Sequence, residues 1–184
     1  MGTLMLVEYS WEVVALDART LTRLALLIAV GAVLHWLEGA VPAPIPIPGA
    51  KLGLANIVTL YATVVWGLSG GLYVAGGRSV LGSLIGGTFG TVGFAMSFSG
   101  AVVAAIVMWL ILKLPVGPVG VSIMGALAHN MMQLVVFALI TRYMGVFFYA
   151  PYLIMLALPA GLITGLVAIF FLRRSGHIAA ATAR

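Results

Sequence analysis

The chain has no cysteine among its 184 residues. That excludes structural disulfides, thiolate metal sites, iron–sulfur ligation and a cysteine nucleophile. Charge is almost as scarce. Lys, Arg, Asp and Glu make up 7% of the residues, too little to solvate an ordinary globular surface, since a soluble domain carries about 25%. The acids are Glu8, Glu12, Asp17 and Glu38, and Glu38 alone falls inside an apolar run. A metal site needs several His or carboxylate ligands in one place. Proton relays likewise want more carboxylates than this. No GxxxxGK[ST] phosphate loop is present. The stretch GGRSVLGS lacks both its lysine and its spacing, so the chain does not hydrolyse ATP itself.

What is present is apolar. Hydrophobic residues make up 63% of the chain and form continuous runs near the ~20 residues that cross a bilayer as a helix. The short alternating segments of a membrane β-barrel are missing. The fold class is therefore an all-α membrane protein. The net charge of +5 reads as orientation signals at helix ends rather than as a nucleic-acid footprint. Residues 1–19 lack the basic start of a secretory signal and read as an interfacial helix or a tail. Six spanning runs follow, at about 21–40, 50–67, 72–88, 92–114, 119–143 and 149–172. They form one domain, 20–173, with a short tail at 174–184. The proline-rich link VPAPIPIPG separates the first two runs, because its prolines forbid helix continuation.

Six helices put both termini on one side. Arg19, Arg23, Lys113, Arg173, Arg174 and Arg184 fall on that side, which the positive-inside rule makes cytoplasmic. Lys51 and Arg142 then face outward, and topology gives no reason for Lys51.

Polar groups inside apolar runs are costly and mark interior faces or sites. Asn56, Thr59 and Thr63 share one stripe of the second run, with Lys51 at its mouth. Ser122, His129 and Gln133 lie within a narrow arc of the fifth run, and Asn130 is about 100° round the helix from His129. His35 and Glu38 are neighbours near the outer end of the first run. Ser97 and Ser99 sit in the outer half of the fourth. Ser and Thr in such helices commonly bond their own backbone, and a lone Asn or Gln can be interhelical glue worth ~1 kcal/mol. The concentration of His129, Asn130 and Gln133 on one helix is harder to explain as packing. Together with Lys51, Asn56 and Glu38 it points to a binding site for a small anionic or polar-headed molecule in the outer half of the bundle. Arg78 lies a turn or two into the third run and reads equally as a cytoplasmic snorkel or a buried partner of the site. One His with scattered Ser does not specify a hydrolase. Small residues at Ala25, Ala29 and Ala32, at Gly82, Gly86 and Gly90, and at Gly161 and Gly165 permit close helix approach.

The segments PGAKLGLANIVTLYA, GGRSVLGSLIGG, SFSGA, IMGALAHNMMQL and GLITG, in this order, resemble the Gx transporter family, often labelled heptaprenyl diphosphate synthase component I. The resemblance covers about 19–172, and KLGLAN and GALAHNMMQ are its specific parts. It implies a fold similar to the S components of energy-coupling factor transporters of bacterial cell membranes: six-helix bundles that bind vitamin-like molecules from outside under a lid made by the first link. It implies partners too, a transmembrane coupling subunit and two cytoplasmic ATPases. Ala25 and Ala29, with Ala32 a turn on, match the docking motif. Leu52–Asn56 and His129–Gln133 match the binding segments. The label suggests prenyl transfer, but such synthases hold Mg²⁺–diphosphate on paired aspartate-rich motifs, and the one aspartate here is Asp17. The expectation is a non-enzymatic binding subunit with no bound cofactor. The alternatives are a membrane subunit of a flavin- or quinone-linked electron-transfer assembly and an accessory factor in isoprenoid synthesis.

Overall fold

Asp17 starts the first helix. Its carboxylate accepts the Thr20 N–H at 2.9 Å and its carbonyl accepts the Leu21 N–H at 3.0 Å, a standard N-cap. The bond with Thr20, and to a lesser degree the nearby Arg23, hold this carboxyl below the ordinary carboxylate range. The computed structural model describes residues 17–40 and 53–178. Lys51, the proline-rich link and most of the N-terminal segment lie outside the described residues.

The described residues form helices α1 (Ala18–Ala40), α2 (Asn56–Ile85), α3 (Val92–Ile111), α4 (Pro118–Thr141) and α5 (Ala150–Arg174), with a 3-10 turn at Met144–Tyr149 leading into α5. No strand occurs among them. Five helical stretches are long and apolar enough to cross a membrane: Ala18–Gly39, Asn56–Ile85, Val92–Ile111, Pro118–Thr141 and Met144–Arg174. The chain is a multi-pass, all-helical membrane protein.

The two runs read from the sequence as 50–67 and 72–88 belong to one helical stretch that folds back on itself. Gly67 has φ 68° and ψ −156° inside α2, a conformation open to glycine and costly for any other residue. Arg78 then hydrogen-bonds Thr59, 19 residues earlier, at 3.0 Å. An unbroken helix would hold these residues about 28 Å apart. The two arms, 56–66 and 68–85, are therefore antiparallel. The sequence placed the break at Ser69–Gly71, yet these residues are helical. Gly70 and Gly71 instead let the arms approach: a Cβ at Gly70 would lie 2.5 Å from that of Trp66, and one at Gly71 would strike Thr63.

α2 is the central element. It packs on α1, α3 and α5 and touches α4, while α3, α4 and α5 pack in chain order. Helix association in lipid depends on close packing, and here the glycines supply it. A Cβ at Gly161 would lie 2.5 Å from the Ile123 Cα, and one at Gly165 2.8 Å from the Val119 Cα, so α4 and α5 touch backbone to backbone. α1 lies parallel to the second arm of α2, with Gly77 against Ile28, Gly31 against Arg78 and Gly82 against His35. Caps and breaks fix the helix ends. Thr91 accepts the Phe94 N–H ahead of α3, Pro118 opens α4, and Arg142 closes α4 in the left-handed region.

Candidate functional site

The described polar residues predicted to form one site gather at one end of the bundle, but they are sorted into two spaces. The first is nearly filled. It has room for about 10 Å³ and is bordered by Glu38, Asn56, Arg78, His129 and Asn130, with His35 at its edge. Arg78 is its centre and is 2% exposed. The guanidinium donates from Nε to the Thr59 hydroxyl at 3.0 Å and from Nη2 to the Asn56 side-chain oxygen at 2.7 Å. Glu38 accepts the Leu54 N–H and draws Arg78 by Coulomb attraction. Buried charge survives only when paired and hydrogen-bonded, and this arrangement provides both. Of the two readings of Arg78, the structure supports the buried partner and not a snorkel to the surface. Gly31 makes room for it, because a Cβ there would lie 3.0 Å from Arg78 Cβ and Cδ and 2.8 Å from Val58 Cγ2.

The second space is a cavity of about 380 Å³, within the range of small-molecule sites. His35 and Trp36 of α1, Gly82 of α2 and Gly86 just past its end, Met96 and Ser97 of α3 and Gln133 of α4 line it. His35 borders both spaces. Gln133 is 1% exposed, and neither its amide nitrogen nor its oxygen has a hydrogen-bond partner among the described residues. Leaving a buried amide unpaired costs about 1–3 kcal/mol. The Ser79 and Ser83 hydroxyls, on the turns either side of Gly82, are likewise buried and unpartnered. No group of three or more metal-ligating His, Asp or Glu side chains occurs among the described residues.

Asn130 donates to the Leu153 carbonyl of α5 at 3.2 Å, and Ser122 pairs with Thr164 at 2.7 Å. Both therefore tie α4 to α5. Gly100 brings α3 onto α4, where a Cβ would lie 3.0 Å from the His129 carbonyl and 3.2 Å from Gln133 Cγ. Ala25 and Ala29 are exposed on α1, whereas Ala32 is buried at 1% exposure. Ala32 thus lies in the core, away from any docking face. Lys51 lies outside the described residues.

A sequence profile of the family described as heptaprenyl diphosphate synthase component I matches residues 27–171. The chain belongs to this family. Comparisons with curated proteins and with solved structures find no match. The component I match spans both spaces, from His35 and Glu38 through Arg78 to Gln133 and the packing glycines of α5. Sequence reasoning passed over Met96 and Trp36 and read Ser97 as a serine of the kind that bonds its own backbone. Their place at the cavity comes from the packing of α1, the second arm of α2 and α3 against one another. No local pattern carries that signal.

Proposed function

We propose that the chain is the small-molecule-binding membrane subunit of an uptake transporter of the energy-coupling factor type, driven by separate ATPases, and that it is not itself an enzyme. The cavity carries this reading: a space of ligand size at one end of a helical bundle, with a buried amide left unpaired beside it. On this reading the two arms of α2 on either side of Gly67 count as separate passes, the first of them short, which gives six. Both termini then share a side with Arg19, Arg23, Arg173 and Arg174, which the positive-inside rule makes the cytoplasm of a bacterial cell. The cavity opens on the opposite, outer side. Gly39 lines the cavity and Gly53 borders the neighbouring space, while Lys51 lies outside the described residues. The exposed Ala25 and Ala29 offer a flat stripe on α1, the helix least enclosed by its neighbours, for a transmembrane coupling subunit.

The family description favours a second reading, an accessory role in isoprenoid diphosphate synthesis. Catalysis by this chain fits that reading poorly, because magnesium–diphosphate chemistry needs clustered carboxylates and the chain has one aspartate and three glutamates. The readings separate when the protein is extracted gently and its companions are identified by mass spectrometry. A coupling subunit with two ATPases is expected. A soluble prenyl synthase would support the second reading, and a flavoprotein would support an electron-transfer assembly. Changing Ala25 and Ala29 together to Leu should abolish association with the coupling subunit, with thermal stability changed by no more than about 0.5 kcal/mol. Intact assembly of that variant would refute the docking stripe.

A further inference from the structure

We infer that the large cavity recognises a small neutral molecule by an edge that sets a hydrogen-bond donor beside an acceptor, as a lactam or carboxamide does, and that Gln133 reads this edge. The inference rests on the reading of the chain as a binding subunit and names the class of ligand it takes.

Three observations converge. Gln133 presents an N–H donor and a carbonyl acceptor side by side, both buried and both unpartnered among the described residues. The complement of that pair is an edge with acceptor and donor in the same order, which closes two parallel hydrogen bonds. The buried cation next to the cavity, Arg78, is already engaged. Arg78 donates to Thr59 and Asn56, feels Glu38, and borders a space of about 10 Å³. No Lys or Arg is among the described residues lining the large cavity. Among the described residues an anion there would meet no fixed opposite charge to offset its lost hydration, which is unfavourable. The rest of the wall suits a ring: the Trp36 indole and the Met96 thioether, with bare backbone at Gly86 and Gly93.

The test uses the purified chain in detergent and three small probes followed by ligand-detected NMR: α-pyridone, its N-methyl derivative and benzoate. α-Pyridone has the lactam edge, the N-methyl compound loses the donor, and benzoate replaces the edge with an anion. α-Pyridone should bind about tenfold more tightly than either of the others. Gln133→Met should melt no lower than the native bundle and bind all three alike. Gln133→Glu, similar in size but charged when ionised, should reject benzoate most strongly. The inference is overturned if benzoate binds best, if the three probes bind equally to the native chain, if Gln133→Met keeps the preference, or if α-pyridone shows no binding at millimolar concentration. Because binding is read on the isolated chain, a missing ATPase partner would sink the transport reading and leave this result standing. Loss of the lactam preference would do the reverse.

Discussion

Arg78 and Gln133 are the two largest fully buried polar side chains among the described residues, and they are opposites. Arg78 carries a full charge and is answered by Asn56, Thr59 and Glu38. Gln133 is neutral and has no hydrogen-bond partner among the described residues. The group that is dearer to bury is the satisfied one. Internally closed polar networks hold helices together, whereas an unanswered polar group beside empty space is where a ligand is expected. The first arm of α2, α1 and the second arm of α2 are joined through the Arg78 network. The Gln133 wall is left open.

The contrast predicts effects of opposite sign. Arg78→Met should have the largest effect, a loss of about 3 kcal/mol, because it removes both charged hydrogen bonds, leaves the buried Asn56 oxygen unpartnered and takes the cation away from half-buried Glu38. Unfolding in detergent measures this, and a change below about 1 kcal/mol would show that the network is not structural. Gly31→Ala should come next. Its new Cβ meets Val58 and Arg78 within 3.0 Å, and overpacking of this kind costs about 1–3 kcal/mol. An Arg78→Met background should relieve part of that cost. Gln133→Met should run the other way, raising stability by about 1 kcal/mol while the preference for the lactam probe disappears. A destabilised variant would mean that the amide has a partner in the folded protein.

The smallest effect lies outside the bundle. The Asp17 carboxyl has a lowered pKa in the folded state through its bond with Thr20. Its contribution is therefore fully present above the ordinary carboxylate pKa and lost as pH falls through the lower folded value. Asp17→Asn should flatten the acid limb of the stability profile slightly and leave neutral pH unchanged. An unaltered acid limb would mean that the cap adds nothing in solution.

Much of this was legible in the sequence. The apolar runs gave the helices, and the cost of intramembrane polarity singled out Asn56, His129, Asn130 and Gln133. What the sequence cannot express is pairing across helices. Asn56 and Gln133 look alike along the chain, yet one accepts from an arginine 22 residues away and the other faces a cavity. Arg78 read equally as a surface or an interior residue because its partners lie on the other arm of a hairpin. That arm is set by the backbone at Gly67, whereas the more conspicuous Ser-Gly-Gly that follows is helical. The role of Ala32 was misjudged for a related reason. Small-residue spacing marks a face suited to close approach but does not say which neighbour approaches, and here the rest of the bundle covers Ala32.

The hairpin has a further electrostatic consequence. Its first arm runs from Asn56 to Trp66. At 1.5 Å per residue this is about 16 Å, roughly half of a hydrocarbon core of about 30 Å. At least one end of the arm therefore lies at hydrocarbon depth, where a free backbone group has no water to meet. At its start the Leu54 N–H goes to the Glu38 carboxylate, and at its end the Trp66 carbonyl accepts from Ser69. The arm is a half-helix whose dipole is answered at its positive end by an acid on another helix. Glu38, the only acid in the apolar runs, thus faces two positive fields at once, one from a side chain and one from a helix end.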